Sequence, residues 1–256
     1  MVYQGSKSRI AKYIVPIIQR YIDFYNIRNY YEPFVGGANV IDKVACAGRT
    51  GFDCNEYLIK LLRYVQTDTL ISIVPEECSF EHYAEVRKSY KNKDGEFSDE
   101  YIALIGYCAS YGGRFFDGGY GRNRAGRGSL YAERLKNLRN QAPKLQGILF
   151  ESCDYTEIDP YAFRGSLFYL DSPYRGTKHY LGQSLDYEYF YSWSRALSEN
   201  NIVLVSEYNM PDDFRCIWSK DVNVLQKSDR TATDKAVEKL FIQTTSEYPP
   251  ISKRTK

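Results

Sequence analysis

The chain has no Cys-x-x-Cys pair, only two histidines (His82 and His179), and no apolar run near the roughly 20 residues that a bilayer span requires. Its six cysteines, at 46, 54, 78, 108, 153 and 216, are widely spaced. That spacing argues against a zinc module and a disulfide scaffold, and with so few histidines no metal centre is expected. A dominant charge is missing too: 34 Lys+Arg oppose 32 Asp+Glu, a formal net of +2. Residues Met1 to Arg9 bring charge and polarity before the apolar core of a signal peptide can form. The expectation is a reduced, cytoplasmic protein with no membrane segment. Against these absences stand 256 residues, 43% hydrophobic and 26% charged, enough for one domain with a large insertion or two modest domains. Tyrosine is abundant, with 25 residues, so the placement of those rings matters.

Apolar residues Ile10, Tyr13, Ile14, Ile17, Ile18 and Tyr21 recur at helical spacing and predict a helix over 8–24, with Pro16 breaking, kinking or restarting it. A strand from Asn29 then runs into a glycine turn, a helix is expected over Ala38 to Ala47, a second strand over Thr50 to Asp53, and a helix over Asn55 to Gln66. This is the opening of an α/β fold. Two helical patterns, near 80–91 and 98–110, precede a glycine- and arginine-rich stretch from Tyr111 to Ser129. Strand signals return at Ile148–Phe150, Ser166–Leu170 and Ile202–Ser206, the last after a helix at about Tyr187 to Ser198; Val222–Gln226 and Lys239–Gln243 are further candidates. The expected organisation is an α/β domain in two segments, 1–64 and 146–248, a mostly helical, basic insertion over 65–145, and a tail over 249–256.

Two places offer chemistry. Glu32-Pro33-Phe34-Val35-Gly36-Gly37 lies between a strand and the next segment, where glycines let the backbone turn tightly and approach a ligand. Asp53 and Asp154 follow at the ends of later strands, and an acid at the end of the second strand suits ribose hydroxyls. The same Gly-Gly turn also serves plain geometry, and it lacks full G-x-G-x-x-G spacing. The second place is Asp171-Ser172-Pro173-Tyr174, after the apolar strand Leu167–Leu170. Pro173 keeps Ser172 extended. The turn offers a carboxylate, a main-chain carbonyl and an aromatic face, which match the two N–H donors and planar ring of an exocyclic amine. An ordinary strand-ending turn explains the same residues.

Charge is unevenly placed. From Arg114 to Arg139 seven basic residues face two acids, a local net of +5, which leaves the remainder net negative. Such a concentration suits phosphate neutralisation. Within it Arg114, Tyr120, Arg122, Asn123, Arg124 and Arg127 are candidates for DNA contact, with Arg and Asn able to reach base edges and Phe115, Phe116 or Tyr120 able to wedge into a base stack. A solvated loop whose aromatics pack on the insertion is the alternative.

Gln4-Gly-Ser-Lys7, Glu32-Pro-Phe-Val-Gly-Gly37, Asp53-Cys-Asn55, Cys153-Asp-Tyr155 and Asp171-Ser-Pro-Tyr174 occur in an order that resembles the Dam-type (D12 class) DNA adenine N6-methyltransferases. The resemblance runs from about residue 3 into the 240s. It implies a class I S-adenosylmethionine-dependent methyltransferase fold, a seven-stranded sheet flanked by helices, with a mostly helical target-recognition insertion. It further implies S-adenosylmethionine as cofactor and double-stranded DNA as partner. Tyr3, Lys7, Glu32, Pro33, Phe34, Gly36, Gly37, Asp53, Asn55, Asp154, Tyr155 and Asp171 would line the cofactor site. Asp171, Ser172, Pro173 and Tyr174 would hold the target adenine. Whether a restriction endonuclease accompanies the protein is left open.

Two departures stand out: Ser172 replaces a proline, and Ala38 replaces a glycine common in relatives, tolerable if its φ is negative. Rival readings are an N-methyltransferase of RNA or protein, and a DNA-binding protein with a weak or inactive methyltransferase fold.

Overall fold

The computed structural model describes residues 1–3, 5–67, 74–122, 130–174, 185–225, 233–243 and 248–251. Its strands are β1 (Asn29–Glu32), β2 (Gly48–Asp53), β3 (Ile148–Ser152), β4 (Leu167–Leu170), β5 (Ile202–Glu207), β6 (Phe214–Leu225) and β7 (Thr233–Gln243). Its helices are α1 (Ala11–Tyr25), α2 (Glu56–Gln66), α3 (Phe80–Asn92), α4 (Asp99–Cys108), α5 (Tyr131–Leu145) and α6 (Tyr187–Ser198). The strands form a seven-stranded sheet of order β3-β2-β1-β4-β5-β7-β6. β1, β4 and β5 run parallel, while β7 is antiparallel to both β5 and β6. This mixed sheet with flanking helices is the α/β class I methyltransferase architecture expected above.

The sequence explains the elements. β4 and β5 are buried along their whole length, as central strands covered on both faces must be. Side chains of Asn55, Ser79, Ser98 and Asp186 each accept a backbone N–H from the first turn of α2, α3, α4 and α6. Strand order reverses between β1 and β4, so the carboxyl ends of these two strands flank the point where open α/β sheets bind ligands.

Three expectations are corrected. α1 neither breaks nor restarts at Pro16 but continues through it as one helix, because Ile14, Ile18, Tyr21 and Ile22 are buried and their packing outweighs one lost backbone hydrogen bond. Ala38 to Ala47 is not an α-helix: a single 3-10 turn covers Ile41–Lys43, and the chain is extended at Val44. Gln141 Nε2 donates to the Gly37 and Ala38 carbonyls at 3.1 Å, and Ala38 has a φ of +55°. Left-handed backbone at the start and carbonyls drawn to another helix both oppose helix nucleation. Third, the two helical patterns named for the insertion leave out 131–145, where α5 lies. Tyr131, Leu135, Leu138, Ala142 and Leu145 recur at helical spacing and are buried together with Arg134 and Gln141, so apolar periodicity does mark this helix. β6 and β7 also extend well beyond the short segments expected for them.

The chain divides into two compact units. The first comprises Met1–Lys12, Val35–Val44 and Thr50–Asp154. In it Arg134, buried, donates to the carbonyls of Tyr107 and Cys108 at the end of α4 and of Ser110 just past it. Phe115 and Phe116 pack there with Tyr57, Tyr83, Tyr90 and Tyr107. The second unit comprises Tyr13–Phe34, Ala45–Arg49 and Tyr155–Lys256. Its core combines the buried strands β4 and β5 with Phe190, Trp193 and Leu197 of α6.

Ala38 yields a direct prediction. A β-carbon in left-handed backbone costs about 1–2 kcal/mol, partly recovered as lower entropy of the unfolded chain. Ala38→Gly is therefore expected to stabilise the protein by about 0.5–1 kcal/mol, read as a higher urea midpoint at unchanged slope.

Candidate active site

In the first unit the glycine turn closes on the end of β2. Val35 N donates to Phe52 O at 2.8 Å, and Ala38 N to Val35 O at 2.9 Å. Gly36 has a φ of +48°, and a β-carbon there would stand 3.0 Å from the ring of Tyr3. At Gly37 a β-carbon would stand 2.7 Å from Asn39 Nδ2 and 3.0 Å from Tyr3. Tyr3 thus lies on the two glycines, and its ring also meets Tyr107 at 6.0 Å. Lys7, buried, follows in a 3-10 turn over Lys7–Arg9.

Asp53 ties this turn to the next strand. Its Oδ2 accepts the Gly36 N–H at 3.1 Å and its Oδ1 the Asn55 N–H at 3.0 Å. Cys153 N donates to Asp53 O at 3.1 Å, which brings the end of β3 and Asp154 alongside. Burial pushes the Asp53 carboxyl up to about 6; the two N–H bonds oppose that shift and the Asp154 charge adds to it. Asn55 is committed to structure: its Oδ1 caps α2 at Leu58 N, and its Nδ2 donates to the Tyr107 hydroxyl at 2.8 Å. Tyr3, Gly36, Gly37, Asp53 and Asp154 are therefore brought together.

In the second unit the register Tyr30↔Leu167 and Tyr31↔Phe168 sets the ends of β1 and β4 side by side. β1 delivers Glu32, Pro33 and Phe34; β4 delivers Asp171, Ser172, Pro173 and Tyr174. Glu32 is buried and accepts the Tyr30 hydroxyl at 2.6 Å, since residues i and i+2 of a strand share a face. Asp171 is half-buried, Ser172 and Tyr174 are buried, and Pro173 is exposed. Ser172 Oγ is buried with no hydrogen-bond partner among the described residues. Burial raises the phenols of Tyr30, Tyr169 and Tyr174 well above their usual range, and Asp171 adds to the shift at all three. The region is thus rich in carboxylates and in phenols that stay protonated.

The Tyr174 hydroxyl donates to Glu238 Oε2 at 2.6 Å, and its ring meets Tyr208 edge-on at 4.6 Å. Phe34 packs on Tyr155 at 5.2 Å and Phe190 at 6.0 Å, and Tyr155 in turn meets Trp193. A cavity of about 610 Å³ opens past the end of β5, lined in part by Tyr191, Glu207, Tyr208 and Asn209. Glu238 and Tyr208 escaped the sequence reading. Residues 230–238 read as an exposed polar stretch before the last strand, whereas β7 begins at Thr233 and includes Glu238; nothing local marks Tyr208 among so many tyrosines.

The basic loop divides. Arg114 is half-buried, Arg122 exposed, and the Tyr120 hydroxyl donates to Cys78 O at 2.6 Å. Asn123, Arg124 and Arg127 lie outside the described residues. Phe115 and Phe116 are not wedges: both are core residues, with Gly106 leaving no room for a β-carbon beside the Phe115 ring. Arg134 serves main-chain carbonyls and Arg139 pairs with Glu76 at 2.7 Å, so two of the seven basic residues counted above are engaged within the protein.

Residues 3–232 match the model of the D12 class N6 adenine-specific DNA methyltransferases. The chain is also similar to the type II methyltransferase M.MjaIII of Methanocaldococcus jannaschii, 26% identical over 197 residues that cover 68% of each chain. With a family match over nearly its whole length and the matching α/β sheet, the chain belongs to the D12 class of N6 adenine-specific DNA methyltransferases.

Proposed function

We propose that the protein transfers a methyl group from S-adenosylmethionine to the N6 amine of an adenine flipped out of duplex DNA. The observation that carries this reading is the Asp171–Tyr174 turn at the end of a central strand, beside the strand-order reversal and among acceptor groups. Asp171 and the Ser172 carbonyl accept the two amine hydrogens, which favours a tetrahedral nitrogen with its lone pair available. Asp171 is also the base that takes the proton the amine must lose. Tyr174 offers its ring to the unstacked base, a contact worth about 1–3 kcal/mol against the few kcal/mol that flipping costs.

The residues of the glycine turn fit a nucleoside-bearing cofactor. Each Asp53 oxygen holds one N–H and keeps acceptor capacity for ribose hydroxyls, and Asp154 stands beside it to accept an exocyclic amine. Tyr3, Lys7, Gly36 and Gly37 of the same unit would add to the lining, and the resemblance to the family adds Glu32, Pro33, Phe34 and Tyr155 as cofactor residues. When bound, the cofactor supplies an electrophilic methyl group on a sulfonium. The chain's own part is to orient the acceptor amine and to keep water out. The 65–145 segment is proposed to read the target, with Arg114, Tyr120 and Arg122, together with Asn123, Arg124 and Arg127, on the DNA.

This division of arginines is testable. Arg122→Ala should lower the slope of log affinity against log salt by about 1, with unchanged folding. Arg134→Met should leave that slope alone and destabilise the fold by on the order of 2–3 kcal/mol, because it strands buried carbonyls. Fluorescence anisotropy across a salt series and denaturant titration separate the two. The acceptor itself is tested by competition: tritiated methyl from S-adenosylmethionine is offered to duplex DNA, transfer RNA and total protein in one reaction. Label in DNA alone supports the reading, and label in RNA or protein with none in DNA refutes it.

A further inference from the structure

Glu238 belongs to no motif considered so far. It stands on β7, where glutamate is a poor strand former, directly across from Lys220 of β6. An ordinary cross-strand ion pair would join the two. Lys220 instead places its ammonium over the ring of Tyr13, 4.3 Å from the centroid, and Glu238 Oε2 takes the Tyr174 hydroxyl at 2.6 Å. The next residue of β7 holds the other wall: Lys239 Nζ donates to Asn209 Oδ1 at 3.1 Å, and Lys239 lies in register with Glu207. Glu207 Oε1 in turn accepts the Tyr208 N–H at 2.7 Å. Two successive residues of β7 therefore anchor both the hydroxyl of Tyr174 and the segment carrying Tyr208, whose ring meets Tyr174 edge-on at 4.6 Å.

We propose that Glu238 is a positioning residue for methyl transfer: it holds the Tyr174 ring, through its hydroxyl and against Tyr208, at the angle that receives the target adenine. Stacking needs only an aromatic face, and phenylalanine has one. The hydroxyl therefore adds direction, and direction requires an acceptor fixed on a rigid element, here a β7 residue in register with Lys220 of β6 and next to the last β5 pair, Glu207↔Lys239. Burial and the neighbouring carboxylates keep the phenol protonated, so it remains the donor. The inference rests on the reading that Tyr174 stacks on the flipped base.

The test is a double-mutant cycle on single-turnover methyl transfer to mixed-sequence duplex DNA, at saturating S-adenosylmethionine, with cofactor affinity measured alongside. Glu238→Ala and Tyr174→Phe are each expected to slow transfer about tenfold, with cofactor affinity within twofold of wild type. The double variant should be no slower than the slower single variant, because both changes break one hydrogen bond. Glu238→Gln, which keeps a carbonyl acceptor, should recover most of the rate. Unaltered transfer in Glu238→Ala, or losses that multiply in the double variant, would overturn the proposal while leaving the stacking role intact. Full activity in Tyr174→Ala would instead remove the stacking role, and the proposal with it.

Discussion

Asp171→Ala is expected to lower single-turnover methyl transfer by about a thousandfold or more, while duplex DNA still binds within a few-fold of wild type. Removing one preorganised hydrogen-bond partner from a reacting centre typically costs about 10²–10³ in rate, and this carboxylate is assigned two tasks. It accepts an amine hydrogen before transfer, and it takes the proton that the methylated nitrogen loses. Asp171→Asn separates them: its carbonyl oxygen still accepts a hydrogen bond, yet it is a poor base, so the rate should fall between the two. Rapid-quench measurement of labelled DNA, with binding followed by anisotropy, tests this directly. A rate within tenfold of wild type for Asp171→Ala would place the chemistry elsewhere.

The second large effect is expected at Asp53. Its carboxylate is assigned to the cofactor ribose, and charge-assisted hydrogen bonds of this kind are worth about 1.5–3 kcal/mol each. Asp53→Ala should therefore weaken S-adenosylmethionine binding by about 10²-fold or more. The pH dependence follows from burial, which pushes the carboxyl from its ordinary value near 3.8 up to about 6. Hydroxyl donors need the ionised acceptor, so cofactor affinity should rise with pH through about 6 and fall below it. Stability runs the other way. Between pH of about 4 and 6 the folded chain holds a proton that the unfolded chain has lost, so this group's contribution to stability declines as pH rises through that window. Calorimetric titration of the cofactor from pH 5 to 8 measures the first trend, and Asp53→Asn should flatten it. A pH-independent affinity in the wild-type protein would remove Asp53 from the ribose.

Much of this molecule is readable in its sequence where one physical signal dominates. Leu167–Leu170 and Ile202–Glu207 are strands because apolar β-formers run unbroken between turn residues, and α6 is a helix because Phe190, Trp193 and Leu197 recur on one face behind a capping Asp186. Asp53 and Asp171 stand at strand ends, where the patterning locates them. Legibility fails where long-range polar contacts decide. Gln141 captures the carbonyls of Gly37 and Ala38, so a segment with helical composition turns once and straightens. The burial of Arg134 and Gln141 on α5 is likewise set by carbonyls distant in the chain, which no local pattern reports. Ala38 is tolerable only if its φ is negative, and it sits at +55°, a region that glycine enters without strain and that the sequence alone does not reveal. Glu238 gives no local signal, because its partner Tyr174 is 64 residues away along the chain.

The central claim is that this chain methylates the N6 amine of adenine in DNA, and one measurement addresses it most directly. Duplex DNA of mixed sequence is incubated with the protein and S-adenosylmethionine, digested to nucleosides and analysed by mass spectrometry. The account predicts N6-methyldeoxyadenosine as the new nucleoside, formed only when cofactor is present. A methylated cytosine with no N6-methyladenine, or unmodified DNA from protein that binds both cofactor and duplex, would contradict it.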